Sequence, residues 1–177
     1  MTWPTHALLG INSLWLLSPL PPELLGYDLG TLAACAAFGA LLPDLDASES
    51  KIKHLKIPGT QFKPFLLPAQ VVHRTDQHRG LLHSLWGLGM ASLIITPAAF
   101  LIGWAPVAAL LLGYASHLLG DAATKSGIRL LYPSKVRFHA LPPRLRVTTG
   151  SFAEEAFLPI LALAVFLLMF THLPFAR

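Results

Sequence analysis

The stretch "HRGLLHSLWGLGM", residues 78–90, opens a long apolar run with two histidines and an arginine. Imidazole and guanidinium groups are costly to place at the edge of a hydrocarbon layer. The apolar run continues to about residue 102, close to the ~20 residues that a membrane helix needs. The stretch therefore predicts a membrane helix whose first residues carry a function.

The composition of the whole chain favours a membrane protein. Of its 177 residues, 54% are hydrophobic and only 12% are charged, and the mean hydropathy is +0.57. An ordinary soluble domain is about 25% charged. The single cysteine, Cys35, excludes an intrachain disulfide and a metal site built from several thiolates. No lysine or arginine precedes Lys51, so the N-terminal apolar stretch is expected to be a retained helix rather than a signal peptide.

Four further apolar segments accompany the run that the histidines open. The five segments fall at about residues 5–21, 24–43, 80–102, 104–123 and 155–173. They predict an all-α fold: a polytopic membrane bundle of about five hydrophobic helices, in a single membrane-embedded domain over residues 1–177. Small residues in "LAACAAFGA", within the second segment, predict close packing between helices.

The basic residues indicate how the bundle is oriented. Six of the 13 lie between residues 51 and 79, six lie between residues 125 and 146, and the last is Arg177. The positive-inside rule places both basic loops, about 45–79 and 124–153, in the cytoplasm, and five spans then put the N-terminus inside. Basic stretches also suit nucleic acid. Membrane orientation explains the same charges more simply, so no nucleic-acid partner is expected.

Histidines and carboxylates gather at the ends of the predicted helices. In an alternating bundle, the starts of odd-numbered helices and the ends of even-numbered helices share one face, here the cytoplasmic one. His117 and Asp121 are four residues apart, which places both side chains on one side of a helix. Imidazole nitrogen and carboxylate oxygen together suit zinc and also manganese. The predicted metal ligands are His6, Asp44, Asp46, His78, His83, His117 and Asp121.

Seven ligands exceed one tetrahedral site. The sequence therefore predicts two divalent ions, zinc first with manganese or magnesium as alternatives, bridged by Asp46 or Asp44. His78 is expected in the turn before the third helix and His83 on its first turn. Arg79 is predicted to bind an anionic group such as a phosphate, or else to anchor the helix at the interface.

Each of these polar residues also has a simpler explanation. An aspartate can cap a helix, and a histidine can lie at the membrane interface. Glu154 and Glu155 can favour a helix N-terminus, where the helix dipole attracts negative charge. His117 and Asp121 can form a packed hydrogen-bonded pair. The gathering of all these residues on one side of a chain poor in charge favours a metal site over the separate explanations.

Four short motifs carry a family resemblance. "LLPDLD", "HRGLLHS", "GYASHLLGDAATKSGIRLLYP" and "TGSFAEE" resemble the YdjM-like family of inner-membrane proteins. The resemblance runs from "THALLG" to "TGSFAEE" and implies a helical inner-membrane protein of bacteria or archaea with metal-dependent hydrolase activity. The family's motif positions fall on His6, Asp44, Asp46, His78, Arg79, His83, His117, Asp121 and, more loosely, Glu154. The candidate catalytic residues are Asp46, Arg79 and Glu154.

The expected function is that of a membrane-bound metal-dependent hydrolase. It would cleave a phosphoester, such as a phospholipid or another anionic lipid-linked substrate, through a metal-activated water. The alternative is a non-catalytic metal-binding membrane protein, either a sensor or a transporter. Polar residues confined to one side speak against transport, and the absence of H-E-x-x-H speaks against a metalloprotease. The expected location is the inner (plasma) membrane, with the lipid bilayer as partner.

Overall fold

A computed structural model describes residues 1–20, 25–46 and 80–171. Its α-helices are α1 (Trp3–Asn12), α2 (Leu29–Leu41), α3 (Leu85–Ile95), α4 (Ala99–Ile102), α5 (Trp104–Ala122) and α6 (Phe152–Thr171). Short 3-10 helices lie at Ser13–Leu16, Pro43–Asp46, Thr96–Ala98 and Pro143–Leu145. Apart from isolated bridges, the described ranges contain no β-structure. The all-α class is therefore confirmed for this part of the chain.

Two helical stretches are long and apolar enough to cross a bilayer. One is Leu85–Ile102, 18 residues in which a 3-10 turn joins α3 to α4, and the other is α6, with 20 residues. Helices α1 and α2 have 10 and 13 residues. At about 1.5 Å per residue they fall short of a hydrocarbon core of roughly 30 Å. The predicted count of about five spans is not confirmed, and the N-terminus-inside orientation stays a prediction.

The two candidate spans form an outer layer with exposed side chains. Only 6% and 11% of the residues in their apolar windows are buried. Phe100 is 94% exposed and Leu101 is 88% exposed on the first span, and Leu163 is 58% exposed on the second. Large apolar side chains so exposed along whole helices are unfavourable in water and fit a lipid environment.

Helices α1, α2 and α5 pack against one another through small residues. A Cβ atom added to Gly113 of α5 would lie 2.0 Å from the carbonyl oxygen of Ala36 in α2. One added to Gly39 would lie 2.0 Å from the carbonyl oxygen of Leu110, and one on Gly10 of α1 would lie 2.6 Å from the Ala36 oxygen. The three backbones therefore touch, which confirms the close packing that "LAACAAFGA" predicts.

Local signals set where the helices begin. The Asp28 carboxylate accepts hydrogen bonds from the side chain and backbone N–H of Thr31, which caps α2 and lowers the pKa of this carboxyl group. The Ser84 hydroxyl accepts from the N–H of Gly87, so α3 begins only at Leu85. The prediction that His83 lies on the first turn of this helix is wrong, because the cap places it in the preceding segment.

Candidate metal centre

Five of the predicted ligands meet at one end of the bundle. His6 comes from the first turns of α1, Asp44 from the 3-10 turn after α2, His83 from the segment before α3, and His117 and Asp121 from the last turns of α5. All except Asp44, whose side chain is 23% exposed, are buried. Side chains distant in sequence are thus brought into one site, as the helix-end pattern predicts.

His117 lies at the centre of this cluster. Its Nδ1 lies 2.7 Å from the carbonyl oxygen of Ala40. A carbonyl can only accept, so Nδ1 carries the proton and the Nε2 lone pair faces the site. The ring of His6 stacks on it with centroids 3.7 Å apart. Nε2 of His117 lies 3.1 Å from Nε2 of His83. Either His83 donates a hydrogen bond to His117, or the lone pairs of both atoms face a shared cation.

Three of the candidate ligand atoms form a triangle of suitable size for a metal ion. Nε2 of His83 and Nε2 of His117 are 3.1 Å apart, and Oδ1 of Asp44 lies 3.7 Å from the first and 3.8 Å from the second. The point equidistant from these three atoms lies about 2.1 Å from each, within the roughly 2.0–2.2 Å of zinc–nitrogen and zinc–carboxylate bonds. The separations of these donor atoms are therefore compatible with a zinc-like cation.

Asp121 closes the cluster from the side of α5. Its Oδ2 lies 3.8 Å from Nε2 of His83, and its Oδ1 lies 3.3 Å from Nε2 of His6. The amino group of Met1 also contacts this carboxylate. A buried carboxylate that faces both an imidazole and a candidate ligand set is a common feature of metal sites, where it orients the histidine.

Two overlapping sets of three ligands can be drawn within the described residues. They are His6, Asp44 and His117, and His83, His117 and Asp121, with the ligand atoms of each set within 4.8 Å of one another. Nδ1 of His6 is buried without a hydrogen-bond partner among the described residues. Such an atom is uncommon in folded proteins unless an ion or water satisfies it. The sharing of His117 is compatible with one ion or with two close ions.

Electrostatics keep Asp44 in the form that binds metal. Burial by itself raises the pKa of this carboxyl group. The neighbouring imidazoles of His83, His117 and His6 outweigh burial, so the pKa of this carboxyl group lies below its usual value. The Asp44 side chain is therefore anionic at neutral pH, the form that can bind a metal ion.

A tyrosine positions the segment that carries His83. The hydroxyl of Tyr114, which is buried in α5, donates to the carbonyl oxygen of Leu82 at 2.6 Å. This bond fixes the backbone immediately before the histidine. Tyr114 was not among the residues predicted from the sequence, although it precedes His117 by three residues and so lies on the same side of the helix.

Glu154 makes contacts of a different kind. Its buried carboxylate accepts hydrogen bonds from the backbone and side chain of Thr2, the hydroxyl of Thr5 and the N–H of Gly150. These bonds join the start of α6 to the first turn of α1, next to His6. Among the described residues, Glu154 belongs to neither of the two ligand sets. Its predicted catalytic role stays a prediction, and no sequence signal pointed to the two threonines.

Three further predicted site residues cannot be placed. His78 and Arg79 lie outside the described residues. Asp46 ends the 3-10 turn Pro43–Asp46, and its side chain lies outside the described part of the chain. The predicted bridging, ligand and anion-binding roles of these residues stay predictions.

The sequence profile of the YdjM inner membrane protein family matches residues 1–175. The chain belongs to this family. The match confirms the resemblance that the four motifs carry, and the name of the family agrees with the exposed apolar spans.

Two relatives show how far the similarity to the YdjM family extends. YvsG of Bacillus subtilis (strain 168), described as an uncharacterized protein, is 38% identical over 164 residues, which cover 93% of this chain and 91% of YvsG. The inner membrane protein YdjM of Escherichia coli (strain K12) is 32% identical over 124 residues, which cover 67% of this chain and 58% of that protein. No solved structure matches the chain.

Proposed function

We propose that this YdjM-family protein is a membrane-bound, metal-dependent hydrolase that cleaves phosphoesters. The observation that supports the proposal best is the triangle formed by His83, His117 and Asp44. Its separations of 3.1, 3.7 and 3.8 Å suit one divalent cation. The buried Nδ1 of His6, which has no hydrogen-bond partner among the described residues, further supports a bound ion or water at this cluster.

The chain offers enough donors for the proposed chemistry. His83, His117 and Asp44 would hold a first ion, and Asp121 lies beside them. Asp46 and His78 are proposed to complete a second. Bound divalent cations lower the pKa of water toward neutrality and stabilise negative charge on a phosphoryl group, so no serine or cysteine nucleophile is needed.

The protein's own contribution is to orient these donors and to limit access of water. The carbonyl of Ala40 fixes the tautomer of His117, and the carboxylate of Asp121 faces the imidazole of His6. Such partners of ligand histidines typically change metal affinity or activity by about 10–100-fold when they are removed. Burial of four of the five side chains strengthens the electrostatic interactions inside the site.

The substrate class follows from the position of the site. The cluster lies at the ends of helices, beside two spans with exposed apolar surfaces. The proposed substrate is therefore a phosphoester at the membrane surface, such as an anionic lipid headgroup. Arg79 is proposed to bind its phosphate, since a guanidinium group matches that geometry.

The test is turnover of phospholipids by purified protein in detergent. The protein is loaded with zinc or manganese and incubated with phosphatidylglycerol or phosphatidic acid, and phosphorus NMR follows cleavage of the phosphoester. Turnover should disappear with a chelator and in His117→Ala. It should persist in His139→Ala, because His139 lies outside the cluster, where its ring nitrogen bonds to the carbonyl of Lys125.

The outcome also decides between the two candidate functions. A folded, metal-loaded protein that cleaves none of these phosphoesters would contradict the proposed hydrolase. It would leave the non-catalytic metal-binding protein as the better account, since that alternative requires the site and no turnover.

A further inference from the structure

Residues 123–151 connect α5 to α6, and we call them the interfacial loop. Hydrogen bonds hold this loop against the end of the bundle that carries the candidate metal centre. The N–H of Ala140 donates to the carbonyl of Ala122 at 2.8 Å, and the N–H of Val147 donates to the carbonyl of Ala123 at 3.1 Å. The N–H of Lys125 donates back to Val147 at 2.9 Å. The loop therefore folds back on the helix ends instead of projecting away from them.

The loop lies at the level where the two candidate spans begin. The N–H of Leu85, the first residue of α3, donates to the carbonyl of Leu130 in the loop at 2.9 Å, and the loop runs directly into Phe152, the first residue of α6. Trp86 is 64% exposed and Phe152 is 84% exposed at this level. Exposed tryptophan at the ends of spans is typical of the headgroup region.

The surface of the interfacial loop combines apolar and basic side chains. Its exposed large apolar residues are Leu131 (66%), Val136 (76%), Phe138 (44%) and Leu145 (64%). Exposed basic residues alternate with them, namely Lys125, Lys135, Arg137 and Arg144. No aspartate or glutamate occurs between Asp121 and Glu154. A water-facing loop would not be expected to expose so many aliphatic groups, and a loop buried in hydrocarbon would not carry these charges.

We propose that the interfacial loop docks on the anionic phospholipid surface of the same membrane. Apolar side chains enter the boundary between headgroups and acyl chains, while lysine and arginine side chains contact lipid phosphates. Binding of nucleic acid would use the charges but would leave the exposed leucine and valine side chains without a role. The proposal does not depend on hydrolysis, although docking would bring headgroups next to the metal centre.

Membrane depth can be measured with a fluorescent label at single cysteines. Val136→Cys and, as a matched control in the same loop, Thr149→Cys are made with Cys35→Ala and reconstituted in phosphatidylcholine–phosphatidylglycerol nanodiscs. Bromine-labelled acyl chains should quench the label at position 136 and leave the label at the exposed polar position 149 largely unquenched. A water-like emission at 136, or a response there to a short DNA duplex instead of to lipid, would overturn the proposal.

The contribution of charge is tested with lipid mixtures in which only one of the two phospholipids carries bromine. Quenching at position 136 should be stronger by brominated phosphatidylglycerol than by brominated phosphatidylcholine. Each basic residue at an anionic surface contributes up to roughly fivefold enrichment, so Lys135→Glu with Arg144→Glu should abolish this preference. Lys135→Arg with Arg144→Lys should keep it.

The same variants separate this proposal from the proposed metal chemistry. Both pairs of substitutions lie outside the ligand cluster and should leave the metal content per folded chain unchanged. If both brominated lipids quench the label at position 136 equally in the protein without charge substitutions, docking on anionic lipid is refuted, whatever the metal content. Loss of the phosphatidylglycerol preference in the charge-reversed pair alone would support it.

Discussion

The inner and outer helices of this protein pack in different ways. Helices α2 and α5 are rich in glycine and alanine. The backbones of α1, α2 and α5 touch at Gly10, Gly39 and Gly113. The outer spans, Leu85–Ile102 and α6, instead direct large side chains away from the protein. Close approach of the inner backbones lets short side chains from different helices reach one point, which large core residues would prevent. The outer spans supply apolar surface, and the segment just before the first of them contributes His83 to the site.

The largest effect is expected from adding a single carbon between the inner helices. Gly113→Ala places a Cβ atom 2.0 Å from the carbonyl oxygen of Ala36, so α2 and α5 must separate. Overpacking of this kind costs about 1–3 kcal/mol, and more when backbone is the obstacle. We expect a strong decrease in thermal stability and loss of metal, measured on detergent-purified protein.

The matched control is a glycine of the outer layer. Gly89 in α3 is exposed, and no atom lies within 4 Å of an added Cβ. Gly89→Ala should leave stability unchanged or raise it by about 0.5–1 kcal/mol, because alanine favours helix more than glycine does. Equal destabilisation by the two substitutions would contradict the distinction between inner and outer helices.

A second, smaller effect is expected where the two regions are joined. Glu154→Gln replaces one acceptor oxygen with an amide donor that faces Thr2, Thr5 or Gly150. Leaving buried groups unsatisfied costs roughly 1–3 kcal/mol. Its neighbour Glu155 is exposed, so Glu155→Gln should change the free energy of unfolding by less than about 0.5 kcal/mol. If Glu154→Gln proves as mild as Glu155→Gln, the join between α1 and α6 does not stabilise the fold.

A third prediction concerns the tyrosine that positions His83. Tyr114→Phe removes the hydrogen bond to the carbonyl of Leu82 but keeps the ring, so the loss of stability should be about 0.5–1.5 kcal/mol. Metal affinity should fall by roughly 10–100-fold, as for other groups that orient ligands. Tyr132→Phe, in the interfacial loop, serves as the control. Unchanged metal affinity in Tyr114→Phe would show that the bond has no role in orienting the histidine.

The smallest perturbation is expected from cysteine substitutions that report the orientation of the chain in the membrane. With Cys35→Ala as background, a cysteine at Ala140 in the interfacial loop should react with impermeant reagents only from the cytoplasmic side. A cysteine at Trp104, at the opposite end of the Leu85–Ile102 span, should react only from outside. The reverse pattern would refute the orientation that the basic loops predict.

Much of the fold could be predicted from the apolar runs, but not the lengths of its helices. The apolar segment predicted at 5–21 forms an α-helix only to Asn12, after which a 3-10 turn follows. The Asn12 side chain donates to the carbonyl of Leu8 and to that of Leu161 in α6. Because the second partner is distant in sequence, no local pattern could indicate this junction.

In the candidate site, too, local sequence spacing predicted some features, while others depend on contacts between residues distant in sequence. The pairing of His117 with Asp121 follows from helical spacing, and the helix-end positions of His6 and His83 correctly placed them at the same end. The support from Tyr114 and the engagement of Glu154 by two threonines depend on tertiary contacts. Sequence spacing alone therefore indicated the ligand types and their common face, while the hydrogen bonds that orient them required the structure.

The buried cluster of imidazole and carboxylate groups is proposed to bind metal. Elemental analysis of detergent-purified protein tests this most directly, with His117→Ala and the control His139→Ala measured alongside. We predict about two equivalents of zinc or manganese per chain, as a two-metal hydrolase site requires, a large loss in His117→Ala and full retention in His139→Ala. A folded wild-type protein that carries no metal and cannot be reloaded would show that this cluster is not a metal site.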